Sequence, residues 1–210
     1  SVRAIMQDKY GFLWIGTEEG LNRYDGIMIK SYSICPQAAG KYISSLYGTK
    51  KNIWIGTDEG IYIYAYATET FTYFDLTTPN NVRITSIVNH ILQDKDGNLW
   101  FSTNGQGLFR YNLSKNYLEQ YEFTSAFGIV ASTMADSDNQ IWALTNQGES
   151  GVYKLNKAEN KFEPFGLLYN AGNHHSQALA MLEDSEQTLW LGTWECGLQK
   201  IDKYTRQTTT

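Results

Sequence analysis

The chain has 210 residues, 42% of them hydrophobic, enough for an ordinary folded domain with a substantial core and too apolar for a disordered tail. Six Trp, 15 Tyr and 9 Phe stand beside 18 Gly and only 3 Pro, a balance that suits many short strands joined by tight turns and excludes collagen, coiled coil and Pro-rich linker. Seventeen basic against 22 acidic side chains give a net charge of -5 with no Lys/Arg cluster, so nucleic acid is not an expected partner.

The apolar runs are only a few residues long, and Ser1 starts in mid-pattern without a basic-then-apolar leader, so neither a spanning helix nor an uncleaved signal peptide is expected. Cys35 and Cys196 are too few for a disulfide scaffold and lack C-x-x-C spacing. They are expected to be unpaired thiols, and they do not identify a compartment.

One repeat organises the chain. Trp14, Trp54, Trp100, Trp142 and Trp190 follow one another at intervals of 40, 46, 42 and 48 residues. In chain order, the first unit (about 1–34) carries Asp8, Gly11, Leu13 and Trp14, then Thr17, Gly20 and Leu21. The second (41–76) has Gly48 in place of the aspartate, then Ile53, Trp54, Thr57, Gly60 and Ile61. The third (82–124) restores Asp94 ahead of Leu99, Trp100, Thr103, Gly107 and Leu108. Asp136, Ile141, Trp142, Thr145, Gly151 and Val152 make the fourth (127–166). Asp184, Leu189, Trp190, Thr193, Gly197 and Leu198 make the fifth (174–210), which stops before its expected fourth strand and is read as incomplete.

Apolar spacing near two, in segments such as LWIGT and GLNRY bounded by turn residues, predicts strands and no helix. Each unit parses as four: one before the aspartate, one through the tryptophan, one after the glycine, and one carrying pairs such as Phe71 with Phe74 or Phe162 with Phe165. The predicted fold is therefore all-β, a propeller of four-stranded antiparallel blades with five repeats present, read as an arc or fragment of a larger ring, or a ring completed by another chain, ahead of a self-closed five-blade ring. Each tryptophan is expected to wedge between neighbouring sheets. Each aspartate is expected at a hairpin corner, accepting bonds from its own backbone.

Asp8 to Asp25, DKYGFLWIGTEEGLNRYD, closely resembles the two-component-regulator propeller repeat, and KNIWIGTDEGIYIY, DKDGNLWFSTNGQGLFRYN and DSEQTLWLGTWECGLQKID resemble further copies. DSDNQIWALTNQGESGVYKLN is a more divergent one. The resemblance covers essentially the whole chain. It implies the extracytoplasmic, periplasmic sensor region of a hybrid two-component histidine kinase of the Bacteroides type, membrane-anchored and homodimeric in the parent and responsive to glycan-derived oligosaccharide. It implies sensing rather than catalysis, no cofactor and no metal, and it assigns the repeat Trp and Thr residues to structure. Further blades or a second protomer are the implied protein partners. A kinase histidine box, a nucleotide-binding glycine pattern and a receiver domain are missing from these residues, so the chain reads as an excised stretch.

In an up-and-down blade, the loop between the second and third strands shares a face with the connection to the next blade. These turns vary: EE (18–19), DE (58–59), NGQ (104–106), NQGES (146–150) and WEC (194–196). Variable loops on a rigid scaffold are the candidate ligand face. Trp194 beside Glu195 offers a flat apolar surface and a hydroxyl acceptor, the chemistry a sugar ring needs. Asn104, Gln106, Asn146, Gln147 and Glu149 add hydrogen-bonding groups that also serve as ordinary turn residues. Glu18, Glu19, Asp58 and Glu59 are read as a solvated acidic rim. Adjacent His174 and His175 point to opposite faces of a strand and cannot share a metal. Asp94, Asp96 and Asp136, Asp138 lack the rest of a calcium loop and are read as turns.

Two other classes compete: a propeller glycoside hydrolase or lyase using paired carboxylates, and a protein-interaction scaffold. Against the first, the repeated aspartates are expected at solvated corners, untuned for acid catalysis.

Overall fold

The computed structural model describes residues 1–34, 41–123, 128–145, 151–167, 178–194, 197–205 and 208–209. Cys35, Cys196, His174 and His175 lie outside them. The described residues form strands and turns without a helix, in five four-stranded sheets whose members pair in chain order.

The first sheet is β1 (Val2–Gln7), β2 (Leu13–Thr17), β3 (Gly20–Tyr24) and β4 (Ile29–Tyr32). The second is β5 (Ile43–Gly48), β6 (Asn52–Thr57), β7 (Gly60–Ala65) and β8 (Thr70–Tyr73), and the third is β9 (Val88–Gln93), β10 (Leu99–Thr103), β11 (Leu108–Asn112) and β12 (Tyr117–Tyr121). The fourth is β13 (Val130–Ala135), β14 (Ile141–Thr145), β15 (Gly151–Asn156) and β16 (Lys161–Leu167). The fifth is β17 (Ala178–Glu183), β18 (Leu189–Thr193), β19 (Leu198–Ile201) and β20 (Thr208–Thr209). The expectation that this last unit ends before a fourth strand is corrected, since β20 pairs two residues antiparallel to β19. The chain divides into two compact units, Ser1–Ile91 and Leu92–Thr210, and the division falls within β9.

Register repeats with the sequence. The first strand shifts register once near its start, at Val2/Ala4, Ile43/Ser45, Val130/Ser132 and Ala178/Ala180. Such a bulge bends and further twists the strand that carries it. Across the second and third strands, four tryptophans face a cation: Trp14 opposite Arg23, Trp100 opposite Arg110, Trp142 opposite Lys154 and Trp190 opposite Lys200. Each charge sits 5.2 to 5.9 Å from the ring centroid, within the range of cation–π attraction. Ile63 takes that place opposite Trp54.

In the first unit, Trp14 and Leu21 are buried with Tyr32 packed alongside, against Ile53, Ile55 and Tyr64 of the second sheet. In the second unit, Trp100, Leu108 and Tyr121 pack on Ile141, Ala143, Leu155 and Phe162 of the fourth sheet. Trp142, Val152 and Phe165 in turn pack on Leu189, Leu191 and Ile201 of the fifth. Thus the second strand supplies an indole, the third an aliphatic and the fourth an aromatic, and together they cover the apolar face of the sheet that follows. Trp14, Trp100 and Trp142 are essentially inaccessible to water, which is why a single four-stranded unit could not stand alone.

Candidate functional site

The turn between the first and second strands is built on aspartate. Asp8 Oδ1 accepts the backbone N–H groups of Tyr10 and Phe12 at 2.9 and 3.0 Å, and Oδ2 accepts Trp14 Nε1–H at 2.7 Å. Asp136 does the same for Asp138, Gln140 and Trp142, and Asp184 for Glu186, Thr188 and Trp190. Asp94 serves Asn98 and Trp100. The residue three positions on is left-handed in all four turns: Gly11, Gly97, Asn139 and Gln187.

Asp8, Asp94 and Asp136 are buried, which corrects the expectation of solvated corner carboxylates. The bonded indole lies over the corner and keeps water from it. For Asp184, the indole donor first and the Thr188 N–H next hold the carboxyl below the usual range. This second role of the aspartate is the feature that sequence reasoning missed. Its signal was the constant offset of six residues to the tryptophan.

Corners of neighbouring sheets in the second unit are laced together. The Lys95 N–H donates to Asn139 Oδ1 at 2.9 Å, and Asn139 Nδ2 donates to Asp96 at 2.8 Å. Ser137 donates to Glu183. The buried Lys203 ammonium reaches Glu183 at 2.7 Å, Asp138 at 3.0 Å and Asp136 at 3.6 Å. Burial works against that charge, but the bonds to Glu183 and Asp138 and the charge of Asp136 outweigh it and hold the lysine above its ordinary pKa.

At the loops between the second and third strands, the repeat threonine closes the hairpin. Thr17, Thr57, Thr103 and Thr193 each donate Oγ1–H to the carbonyl of the glycine that follows the loop, at 2.7 to 3.0 Å. Thr145 accepts the Gly151 N–H at 3.2 Å. The β10–β11 loop is also fastened to the chain entering the fourth sheet, because Gly128 O accepts the N–H groups of Gly105 and Gly107 at 3.3 and 2.7 Å. A Cβ at Gly128 would lie 2.9 Å from Gly105 O, and its φ of +57° is left-handed, so glycine is required.

Asn104 is exposed at the tip of this loop. Gln106 is half-buried, its N–H donating to Thr103 Oγ1 and its carbonyl accepting from Gln120 Nε2. Trp194, on the loop after β18, is 72% exposed, in contrast with the repeat tryptophans. Glu195, Asn146, Gln147 and Glu149 lie outside the described residues.

The acidic rim is only partly free, which corrects its reading as simply solvated. Glu18 accepts from Arg3 at 2.5 Å, and this donor above all holds its carboxyl down at about 2. Glu59 pairs with the buried Lys41, whose ammonium lies 5.3 Å from the Tyr62 ring centroid. A cleft of about 150 Å³ between the third and fourth sheets is lined by Asp96, Asn98, Arg110, Asn139 and Asn160. Several of its polar groups already have partners, Asn139 with Asp96 inside the lining, and Asn160 and Arg110 with the adjoining Glu119 and Tyr121.

Residues 1–19 and 81–105 match the family described as two component regulator propeller. Over 146 residues the chain is 28% identical to Histidine kinase P4 of Formosa agariphila, covering 66% of this chain and 10% of that protein. Among solved structures, the extracellular domain of the putative hybrid two component system BT3049 from B. thetaiotaomicron is similar with a TM-score of 0.81 and 25% identity, over 99% of this chain and 29% of that one. The extracellular domain of the putative one component system BT4673 from the same organism gives 0.84 and 23%, over 100% and 27%. Virginiamycin B lyase from Staphylococcus aureus gives 0.74 and 16%, over 99% and 68%, a likeness of fold alone. The chain thus spans a tenth of the curated relative and under a third of the two ectodomains. The fold is a β-propeller of four-stranded antiparallel blades, and the resemblance of its repeats to the two-component-regulator type holds.

Proposed function

We propose that this chain, whose repeats are of the two-component-regulator propeller type, is a ligand-sensing segment in the extracytoplasmic, periplasmic part of a hybrid two-component sensor kinase. In this reading the segment is non-catalytic and responds to glycan-derived oligosaccharide, and the parent is membrane-anchored and dimeric. The observation that carries the non-catalytic reading is the engagement of the repeated carboxylates. Both oxygens of Asp8 and Asp136 accept hydrogen bonds from backbone or indole, so neither of these repeated carboxylates is free to serve as the oriented acid or base that glycoside cleavage uses. The matched repeats and the partial identity to a histidine kinase support the signalling class.

The ligand reading rests on the loop face. Trp194 exposes an indole on which a sugar ring can stack, and Asn104, Gln106, Asn146, Gln147, Glu149 and Glu195 supply hydroxyl partners on loops of unequal length. A ligand there signals only by favouring one arrangement of the parent over another.

Calorimetry against a panel of oligosaccharides, with mass analysis of the recovered sugar, tests the proposal. Binding without cleavage, weakened by Trp194→Ala, is the expected result. Cleaved product would overturn the non-catalytic role, as it would if the likeness to the lyase fold extended to chemistry. Binding that ignores Trp194 would remove the loop face.

A further inference from the structure

Where a sheet packs on the one before it within a unit, the residue three beyond the one facing its repeat tryptophan stands beside the aspartate corner of the preceding sheet. These residues are Tyr66, Lys157 and Lys203. Between the fourth and fifth sheets, Lys203 fills the space at that corner, its side chain 4% exposed and its ammonium against Glu183, Asp138 and Asp136. Between the first and second sheets a ring takes the place. Tyr66 meets Tyr10 edge to face at 5.5 Å, and its phenol oxygen is buried.

Between the third and fourth sheets, in the interior of the array, the chain leaves this place open. Asp94 and Asp96 stand where Asp136 and Asp138 stand in the next corner, and Lys157 is in register with Lys203. Yet Lys157 is exposed and makes no hydrogen bond or ion pair among the described residues. The difference lies in a third carboxylate: Glu183, opposite Leu189, has Ala135 as its counterpart, opposite Ile141. Without that carboxylate, drawing a flexible lysine out of water is not repaid. What remains is the cleft of about 150 Å³. Asp94 on its wall is buried and has no ion pair among the described residues, and Asp96 has only Oδ2 engaged, by Asn139. Arg110 is already answered by Glu119. Ile141 and Leu155 supply an apolar side.

We propose that this cleft binds a small molecule carrying a primary ammonium group, which takes on Asp94 and Asp96 the place that the Lys203 ammonium takes on Asp136 and Asp138. A free ammonium has no tether, so it approaches the open oxygen of Asp96 directly. Its carbon chain, about as long as the lysine side chain that fills the neighbouring corner, lies along Ile141 and Leu155. The site is at the corner end of the sheets and not on the loop face, and it stands independently of the oligosaccharide reading.

Titration of the 210-residue chain with propylammonium, followed through the backbone amide resonances of Gly97, Asn98 and Asn139, tests the site. Tetramethylammonium at equal ionic strength is the control, a cation with no N–H to donate. Saturable shifts with propylammonium and none with the control are expected. Asp96→Asn, at an exposed corner residue, should weaken binding by at least about tenfold with the fold intact by circular dichroism. Ala135→Glu combined with Lys157→Ala supplies the third carboxylate without its lysine, and should tighten binding by about tenfold. No saturable shift, an equal response to tetramethylammonium, or an unchanged affinity in Asp96→Asn would overturn the proposal. Binding that emerges only with Lys157→Ala would overturn it too, because the chain's own lysine would then be the occupant.

Discussion

Asp94 and Trp100 are joined at 2.8 Å, the indole N–H donating to Oδ2 while Oδ1 accepts the backbone N–H of Asn98. A hydrogen bond to a buried charged acceptor is worth more than a neutral one, and removing the acceptor strands its donors. Asp94→Ala should lower stability by about 3 kcal/mol, read as a drop in the urea midpoint at unchanged slope. Asp94→Asn should recover only part of the loss, because whichever way the amide is turned its NH2 group is set against either the indole N–H or the Asn98 N–H. An alanine variant within experimental error of the parent would show that the corner does not depend on its carboxylate.

The tryptophans divide by position. Trp100 is 1% exposed in a cluster of eleven buried residues, itself included, and Trp100→Ala should cost about 3 to 5 kcal/mol. Trp194→Ala, on the loop face, should change stability by less than about 0.5 kcal/mol. Thermal unfolding of the two variants side by side checks both, and equal losses would contradict the assignment of one to the core and the other to a surface loop.

Lys203 is the buried cation among Asp136, Asp138 and Glu183. Lys203→Met keeps the bulk and removes the charge, leaving Asp136 and Glu183, both nearly buried, without their counter-ion. The expected loss at neutral pH is about 3 kcal/mol. The raised lysine pKa means that its contribution is fully present below about 10.4, the ordinary lysine value, and is lost only as pH climbs beyond that. Chemical denaturation at pH 7 and pH 9 should therefore give the same difference between variant and parent.

Glu18 gives the acid-side counterpart. Arg3 foremost holds its carboxyl at about 2, down from 4.5, so its contribution is present above the unfolded value and is lost as pH falls toward 2. Carboxyl-carbon NMR should place the Glu18 midpoint well below those of unpaired glutamates. Arg3→Ala should return it toward 4.5. A midpoint unmoved by that substitution would mean that Arg3 is not its partner in solution.

Gln187 occupies a left-handed turn position that two sister turns fill with glycine. Gln187→Gly relieves that strain at the expense of an exposed bond from Tyr204, so a net gain of about 0.5 to 1 kcal/mol is expected from thermal unfolding. Destabilisation would show that the side chain matters more than the backbone.

Much of this architecture is legible in the sequence because it repeats. The tryptophan period, the threonine three residues on and the later glycine gave the second and third strands and the hairpin between them. The aspartate was legible as a corner but not as an indole acceptor, since a side chain folding back over its own turn is a matter of register rather than composition. A second clue lay two residues beyond the aliphatic of the third strand. Arg23, Arg110, Lys154 and Lys200 occupy it in the four units with aspartate, whereas Ile63 occupies it in the unit with Gly48. The rim pairs Arg3 with Glu18 and Lys41 with Glu59 join residues 15 and 18 positions apart, and no local pattern announces them. The candidate ligand loops have no period to read. Asn104 and Gln106 look alike on paper, yet one is an exposed tip and the other is drawn into its hairpin by Thr103 and Gln120.

The aspartate corner closes within seven consecutive residues, and the threonine hairpin follows within the next several. Each of the four units with an aspartate thus contains the instructions for its own two bends, and in the packed pairs a face that covers meets a chemically different face that is covered. Tandem copying of some forty codons at a unit boundary would therefore insert a ready-made sheet between two existing ones without redesigning either neighbour. Lengthening or shortening such an array by whole units becomes a small genetic step, while a partial unit would strand an uncovered surface and be selected against through insolubility.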